Sequence, residues 1–122
     1  MSAQILVVED EGEFNHLVKE EIEHLDLTVD VAHSGEEGLE KILKGNYRLV
    51  VSDIKMEGMT GVEMAEKALD QMQDPPTFFI MSGFTELSTE QIISKGTAKF
   101  FEKPMELDDL FEAIDFFFSA AS

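Results

Sequence analysis

The chain contains no cysteine, so it can form neither a disulfide framework nor a thiolate metal site. No apolar stretch approaches the length of a membrane span, and the amino terminus lacks the basic-then-apolar pattern of a secretion signal. Basic residues are scarce, with 9 Lys and Arg against 26 Asp and Glu and a net charge of -17. A field of this sign repels phosphate groups. We therefore expect a soluble cytoplasmic protein that binds neither nucleic acid nor anionic membranes directly.

The chain does contain enough apolar material for a folded core. Hydrophobic residues make up 43% of its 122 residues and include 10 Phe and 7 Met. We expect one domain over residues 1–122, because no composition shift, linker or internal repeat divides the chain.

Short apolar runs alternate with helical patterns about five times. The apolar runs predict strands over about 4–8, 27–32, 48–52, 77–81 and 98–101. Helices are predicted over about 11–24, from a cap at Ser34 to near Gly45, and over about 62–72, 88–95 and 107–119. Strands separated by helices of this length indicate right-handed βαβ units and a parallel α/β sheet.

Four of the predicted strands end in polar side chains. The first leads into Glu9 and Asp10, the third into Asp53, the fourth into Ser82 and the fifth into Lys103. The carboxyl ends of parallel strands share one edge, where ligands of open α/β folds bind. That edge would hold three carboxylates, a hydroxyl and an ammonium, a set that can bind a divalent cation and receive a phosphoryl group.

Four of these five side chains also have an ordinary structural explanation. Glu9 and Asp10 could simply favour the positive end of the first helix dipole, and Ser82 could cap a helix. Lys103 could be a solvated residue before a proline. The meeting of all of them at one predicted edge favours a chemical role for the set.

Four motifs, in this order, resemble the receiver domain of two-component response regulators. They are Val7-Val8-Glu9-Asp10-Glu11, Ser52-Asp53-Ile54-Lys55-Met56-Glu57-Gly58-Met59-Thr60-Gly61, Met81-Ser82-Gly83 and Phe100-Phe101-Glu102-Lys103-Pro104. The resemblance implies a flavodoxin-like, doubly wound (βα)5 fold with a five-stranded parallel sheet in the order 2-1-3-4-5. One position departs from the family, which usually has a loop-stiffening Pro where this chain has Glu57. This change removes no reacting group.

The resemblance also implies roles for the residues at the sheet edge. Asp53 would accept a phosphoryl group from a sensor histidine kinase or a phosphotransfer protein. Asp10 and Asp53 would bind Mg²⁺ directly, Glu9 largely through water, and Lys55 through its backbone carbonyl. Lys103 would pair with a phosphoryl oxygen, since the carboxylates need a positive counterweight.

By the same resemblance, phosphorylation would work as a switch. Ser82 would form a hydrogen bond with the phosphoryl group and move inward, and Phe100 would rotate with it. An ordinary core position in the strand explains Phe100 nearly as well. The state would pass to a downstream protein through the fourth helix, fifth strand and fifth helix. Phe116 lies opposite the apolar stripe of that last helix and is a candidate partner contact. A monomer or a weak phosphorylation-dependent dimer is expected.

The residues also bear on three other possible functions. A phosphatase with an Asp nucleophile needs an acid two residues later, where this chain has Lys55, and a flavin carrier would not place acids at 9–11 against the flavin phosphate. A receiver-like interaction module that acts without phosphorylation is the main alternative. We expect no enzyme in the usual sense, only catalysis of the chain's own phosphorylation and slow dephosphorylation.

Overall fold

A computed structural model of the chain describes residues 4–9, 12–53, 59–82, 97–102 and 107–120, without the side chains of residues 12–17, 82, 97–102, 107–109 and 120. In chain order, the elements are β1 (Ile5–Val8), α1 (Gly12–Glu23), β2 (Val29–Ala32), α2 (Gly35–Lys44), β3 (Leu49–Asp53), α3 (Gly61–Gln71), β4 (Thr77–Ser82), β5 (Thr97–Glu102) and a C-terminal helix (Leu107–Ala120). Each begins and ends within two residues of its predicted bounds. The helix predicted over 88–95 lies outside the described residues.

The strands form one sheet in which all neighbouring pairs run parallel. β1 lies between β2 and β3, β4 pairs with the other side of β3, and β5 pairs with β4. Parallel neighbours require crossover connections, which the intervening helices provide. The predicted parallel α/β sheet is therefore confirmed.

Helices cover both faces of the sheet, as the near-continuous apolar strands require. Alternate residues of β1 and β3, such as Leu6 and Val50, pack with α2 and α3. The residues between them, such as Val7 and Val51, pack with α1 and the C-terminal helix. All four side chains are fully buried. Because side chains on both faces of the strands are packed in this way, the strands are held in register, and the relative positions of their carboxyl ends are fixed.

The C-terminal helix presents one apolar side to the sheet. Leu110 and Ile114 are fully buried, whereas Phe116 is 72% exposed. This is the arrangement that the apolar stripe predicted. Within the described part of the chain, no helix has the length and apolar character needed to cross a membrane.

Candidate functional site

Two buried carboxylates lie at the carboxyl edge of the sheet. Asp53 is the last residue of β3 and is 7% exposed, and Glu9 directly follows β1 and is 1% exposed. Val8 pairs with Ser52, so Glu9 and Asp53 occupy the next, adjacent level of the two strands. The backbone N–H of Glu9 donates to the carbonyl of Ala32 in β2 and extends the ladder by one residue. The backbones of these two predicted site residues therefore lie at adjacent positions at one edge of the sheet.

The strand periodicity also places both carboxylates on one face. Glu9 follows Val7 by two residues and Asp53 follows Val51 by two, and both valines pack on the face covered by α1 and the C-terminal helix. Two adjacent carboxylates removed from water favour a cation beside them, because burial penalises unbalanced charge. Hard oxygen donors of this kind suit Mg²⁺, which needs only one or two protein carboxylates and keeps its other ligands as water or phosphate.

The other two predicted metal ligands are Asp10, next to Glu9 in the chain, and the backbone carbonyl of Lys55, two residues after Asp53. Asp10 and Lys55 lie outside the described residues, and within those residues no group of three or more His, Asp or Glu side chains is arranged to hold a metal ion. The two carboxylates that are described fit part of a Mg²⁺ site. Their oxygen atoms are hard donors of the kind that Mg²⁺ prefers.

Two contacts restrain the backbone carbonyl of Asp53. The Ser52 hydroxyl donates to the Asp53 carbonyl at 2.9 Å, and a β-carbon at Gly61 would overlap the same carbonyl oxygen. Gly61 is the first residue of α3, whose start is fixed by a capping box between Thr60 and Glu63. The acidic side chain therefore projects from a backbone position that has little freedom to shift.

For two other predicted site residues, Ser82 and Phe100, the structure describes only the backbone. Met81 pairs with Asp53, so Ser82 lies one residue beyond the level of Asp53 on the neighbouring strand. Ser82 in turn pairs with Glu102, the residue before Lys103. Lys103 itself and the side chains of Ser82 and Phe100 lie outside what the structure describes. Their roles stay predictions.

A contact that the sequence did not suggest lies beside the site. The backbone N–H of Met59, near the end of the segment that follows Asp53, donates to the Glu36 carboxylate of α2 at 2.8 Å. The pKa of Glu36 is lowered by hydrogen bonds from its own backbone N–H and from that of Met59. The only sequence signal was an acid in the first turn of a capped helix, which does not identify a partner 23 residues away.

A polar groove of about 490 Å³ lies at the opposite end of the sheet, near the beginnings of β2 and β3. Within it, the Tyr47 hydroxyl donates to the Asp30 carboxylate at 2.6 Å. Lys41 and Lys44, which also line the groove, face the acids one turn earlier in α2 at 4.0 and 3.0 Å. Asp53 does not line this groove, and both lysines that do are paired with acids of α2.

Comparison with known proteins gives a consistent result. A family model for the response regulator receiver domain matches residues 5–115. The response regulator ArlR of Staphylococcus haemolyticus is 29% identical over 110 residues, which cover 90% of this chain and 50% of that protein. The chain thus spans about half the length of the curated relatives it matches.

Solved structures agree in fold. The response regulator TrrA from Thermotoga maritima, determined in complex with Mg²⁺ and BeF, is 31% identical with a TM-score of 0.79, covering 90% of this chain and 94% of that one. The receiver domain of the Francisella response regulator 1452 superposes with a TM-score of 0.87 at 23% identity, covering 98% and 99%. The match extends over nearly all of the chain and includes both strands that carry the buried carboxylates. The chain therefore belongs to the response regulator receiver domain family.

Proposed function

We propose that this chain is a phosphoacceptor switch whose acceptor is Asp53. The observation that carries the proposal is the pair of buried carboxylates, Glu9 and Asp53, at adjacent positions on one face of the carboxyl edge. Asp53 has a fixed backbone, and a fixed nucleophile lowers the entropic part of the barrier to phosphoryl transfer.

We propose that the ion bound at this site is Mg²⁺. Asp10 and Asp53 would bind the ion directly, Glu9 largely through water, and Lys55 through its backbone carbonyl. When bound, Mg²⁺ would neutralise the charge between the carboxylate and the phosphoryl oxygens. The donor chemistry of Glu9 and Asp53 supports this assignment, as does the 31% identical TrrA, whose structure was determined with Mg²⁺ and BeF.

In the proposed reaction, a carboxylate oxygen of Asp53 attacks the phosphorus of a phosphohistidine. The new oxygen–phosphorus bond forms as the phosphorus–nitrogen bond breaks, and the departing imidazole takes up a proton. Lys103 pairs with a phosphoryl oxygen and Ser82 donates a hydrogen bond to another. The acyl phosphate brings a charge of about -2 into a small volume, so these donors are drawn toward it.

We further propose that the complete architecture is a (βα)5 receiver domain over residues 1–122, with five strands in the order 2-1-3-4-5. The proposed output face comprises the helix predicted over 88–95, β5 and the C-terminal helix. Ser82 and Phe100 would change position together on phosphorylation and bias that face between two states. Phe116, exposed on the C-terminal helix, would contact the partner.

The proposed partners are a sensor histidine kinase or phosphotransfer protein upstream and a target protein downstream. The net charge of -17 supports a basic surface on a partner and argues against direct binding to nucleic acid or anionic lipid. The chain would act in the cytoplasm as a monomer or a weak phosphorylation-dependent dimer. It would catalyse only its own phosphorylation and slow hydrolysis and turn over no separate substrate.

The test is the intact mass of the protein after incubation with acetyl phosphate and Mg²⁺. We expect a gain of one phosphoryl group that requires Mg²⁺ and is lost in Asp53→Asn. Asp30→Asn is the matched control, since it removes one carboxylate from β2 far from the carboxyl edge. No gain with acetyl phosphate or with a phosphohistidine donor would overturn the proposal and favour a module that binds partners without phosphorylation.

A further inference from the structure

A buried hydroxyl lies directly before the proposed phosphoacceptor in the chain. Ser52 is fully buried and precedes Asp53 in β3. Strand periodicity places it with Val50 on the face of the sheet covered by α2 and α3, whereas Asp53 lies on the opposite face with Val51. A hydroxyl without exposed surface cannot meet a phosphoryl donor. Any part that Ser52 plays in phosphoryl transfer must therefore act through neighbouring atoms.

The residues beside this hydroxyl in the sheet are apolar. Ser52 pairs with Val8 of β1 and with Ile80 of β4. Val8 pairs in turn with Ala32 of β2. These three neighbours are fully buried in the core on the same face of the sheet. Burying a hydroxyl among such side chains costs free energy unless the hydroxyl is hydrogen-bonded. An apolar residue would avoid that cost, so packing alone does not explain a serine at this position.

A hydrogen bond joins the hydroxyl to the backbone of the proposed phosphoacceptor. Ser52 donates to the Asp53 carbonyl at 2.9 Å, a type of bond that serine readily makes with nearby backbone. Gly61 packs against both partners, because a β-carbon there would overlap the Asp53 carbonyl oxygen and would come within 2.9 Å of the Ser52 oxygen. The start of α3 thus confines this hydrogen bond on one side.

The bond restrains the α-carbon from which the Asp53 side chain projects. On its amino side, Asp53 continues β3 and pairs with Met81 of β4. On its carboxyl side, the Ser52 hydroxyl holds the carbonyl. A backbone that is restrained on both sides leaves the carboxylate a narrow range of directions. The rate of a displacement reaction depends steeply on the alignment of the nucleophile, so this restraint bears on phosphoryl transfer.

We propose that Ser52 is a positioning residue for phosphoryl transfer to Asp53, which it serves by holding the Asp53 carbonyl. This inference rests on the proposed function. Ser52 contacts neither the phosphoryl group nor the metal, and it accepts no phosphoryl group itself. Its hydroxyl keeps the Asp53 carboxylate aligned for attack on the phosphorus.

The experiment compares Ser52→Ala with Val50→Ala. The first change removes only the hydroxyl oxygen. The second is the matched control, because it removes two methyl groups from the same strand and the same face without touching the hydrogen bond to Asp53. Three quantities are measured for each variant: the rate of phosphorylation by acetyl phosphate with Mg²⁺, the carbonyl carbon resonance of Asp53 in nuclear magnetic resonance spectra, and the urea unfolding midpoint.

We expect Ser52→Ala to be phosphorylated more slowly than the wild type by about fivefold, the factor to which a typical neutral hydrogen bond corresponds. Its Asp53 carbonyl resonance should move upfield, because the carbonyl loses a hydrogen-bond donor. Val50→Ala should lower the unfolding midpoint at least as much, since it leaves a cavity in the core. It should keep the phosphorylation rate and the Asp53 resonance of the wild type.

A wild-type rate in Ser52→Ala would overturn the inference and leave the proposed function intact. A Val50→Ala variant that is slowed as much as Ser52→Ala would do the same, because the rate would then follow stability and not the hydrogen bond. An unchanged Asp53 resonance in a slowed Ser52→Ala would also contradict it. A wild-type protein that gains no phosphoryl group would overturn both the inference and the proposed function.

Discussion

The α-carbon of Gly61 lies against the backbone carbonyl of Asp53, so closely that a β-carbon at position 61 would overlap that oxygen and approach the Ser52 hydroxyl to 2.9 Å. The first residue of α3 is thus in direct contact with the backbone at the end of β3. Any larger side chain at this position must displace either the start of α3 or the end of β3, where the proposed phosphoacceptor lies.

We predict that Gly61→Ala both destabilises the fold and slows phosphorylation of Asp53. Forcing a methyl group against backbone costs about 1–3 kcal/mol of unfolding free energy. The measurements are the urea unfolding midpoint and the rate of mass gain with acetyl phosphate. Gly45→Ala is the control, because its methyl would meet the Tyr47 ring at 2.8 Å at the opposite end of the sheet. It should change stability alone, and a wild-type phosphorylation rate in Gly61→Ala would contradict the prediction.

Mg²⁺ should stabilise the wild-type protein against heat. A ligand that binds only the folded state adds about 1.4 kcal/mol at a free concentration tenfold above its Kd, which raises Tm by several degrees. Glu9→Gln should weaken this response and Asp53→Asn should weaken it more, because Asp53 is the proposed direct ligand. The measurement is Tm with and without Mg²⁺, using Ca²⁺ as a comparison for selectivity. Equal shifts in wild type and Asp53→Asn would place the ion elsewhere.

Tyr47 should titrate at unusually high pH. Burial first, and then the hydrogen bond to Asp30 and its charge, raise the pKa of this hydroxyl well above the ordinary 10.0. Tyr47 is the only tyrosine and the chain has no tryptophan, so ultraviolet absorbance reports its ionisation alone. In the folded protein the phenolate signal should be absent at pH 10.

The same shift has a consequence for stability. Because the folded state holds this proton more tightly than the unfolded state, the stabilisation is fully present below pH 10 and declines as the pH rises further. Asp30→Asn should bring the pKa of Tyr47 down and reduce the slope of unfolding free energy against pH above 10. Half-ionisation of wild-type Tyr47 near pH 10 in the folded protein would refute the predicted shift.

Two neighbouring phenylalanines of the C-terminal helix should respond differently to truncation. Phe116 is 72% exposed, so Phe116→Ala should change the unfolding free energy by less than about 0.5 kcal/mol. The Phe117 ring packs edge-on against the rings of Phe79 and Phe118, with centroid distances of 5.9 Å and 5.0 Å. Phe117→Ala should therefore lower the unfolding free energy by at least about 1 kcal/mol. Urea unfolding of both variants is the measurement, and equal losses would show that Phe116 also supports the core.

Much of the fold was predictable because the apolar pattern changes period between strands and helices. The buried strands read as continuous apolar runs, and the C-terminal helix separates Ile114 from Phe116 by helical spacing alone. Helix α3 begins at Gly61, one residue before its predicted start. The capping box of Thr60 and Glu63 follows a known spacing and would have placed it correctly.

The site was predictable only in part, for a physical reason. The pattern of apolar runs predicted parallel strands whose carboxyl ends share one edge, and the family resemblance implied that β1 and β3 are neighbours, which brings Glu9 and Asp53 together. The bond between Glu36 and Met59 depends instead on how α2 packs beside α3, across 23 residues. The bond between Tyr47 and Asp30 likewise depends on packing. No periodicity or spacing encodes such contacts.

The most direct measurement locates the phosphoryl group on the chain. The protein is phosphorylated with acetyl phosphate and Mg²⁺, the acyl phosphate is reduced with borohydride, which converts a modified aspartate into homoserine, and the peptides are sequenced by mass spectrometry. The account predicts homoserine at position 53 and at no other aspartate. Modification at another carboxylate with Asp53 intact would contradict it.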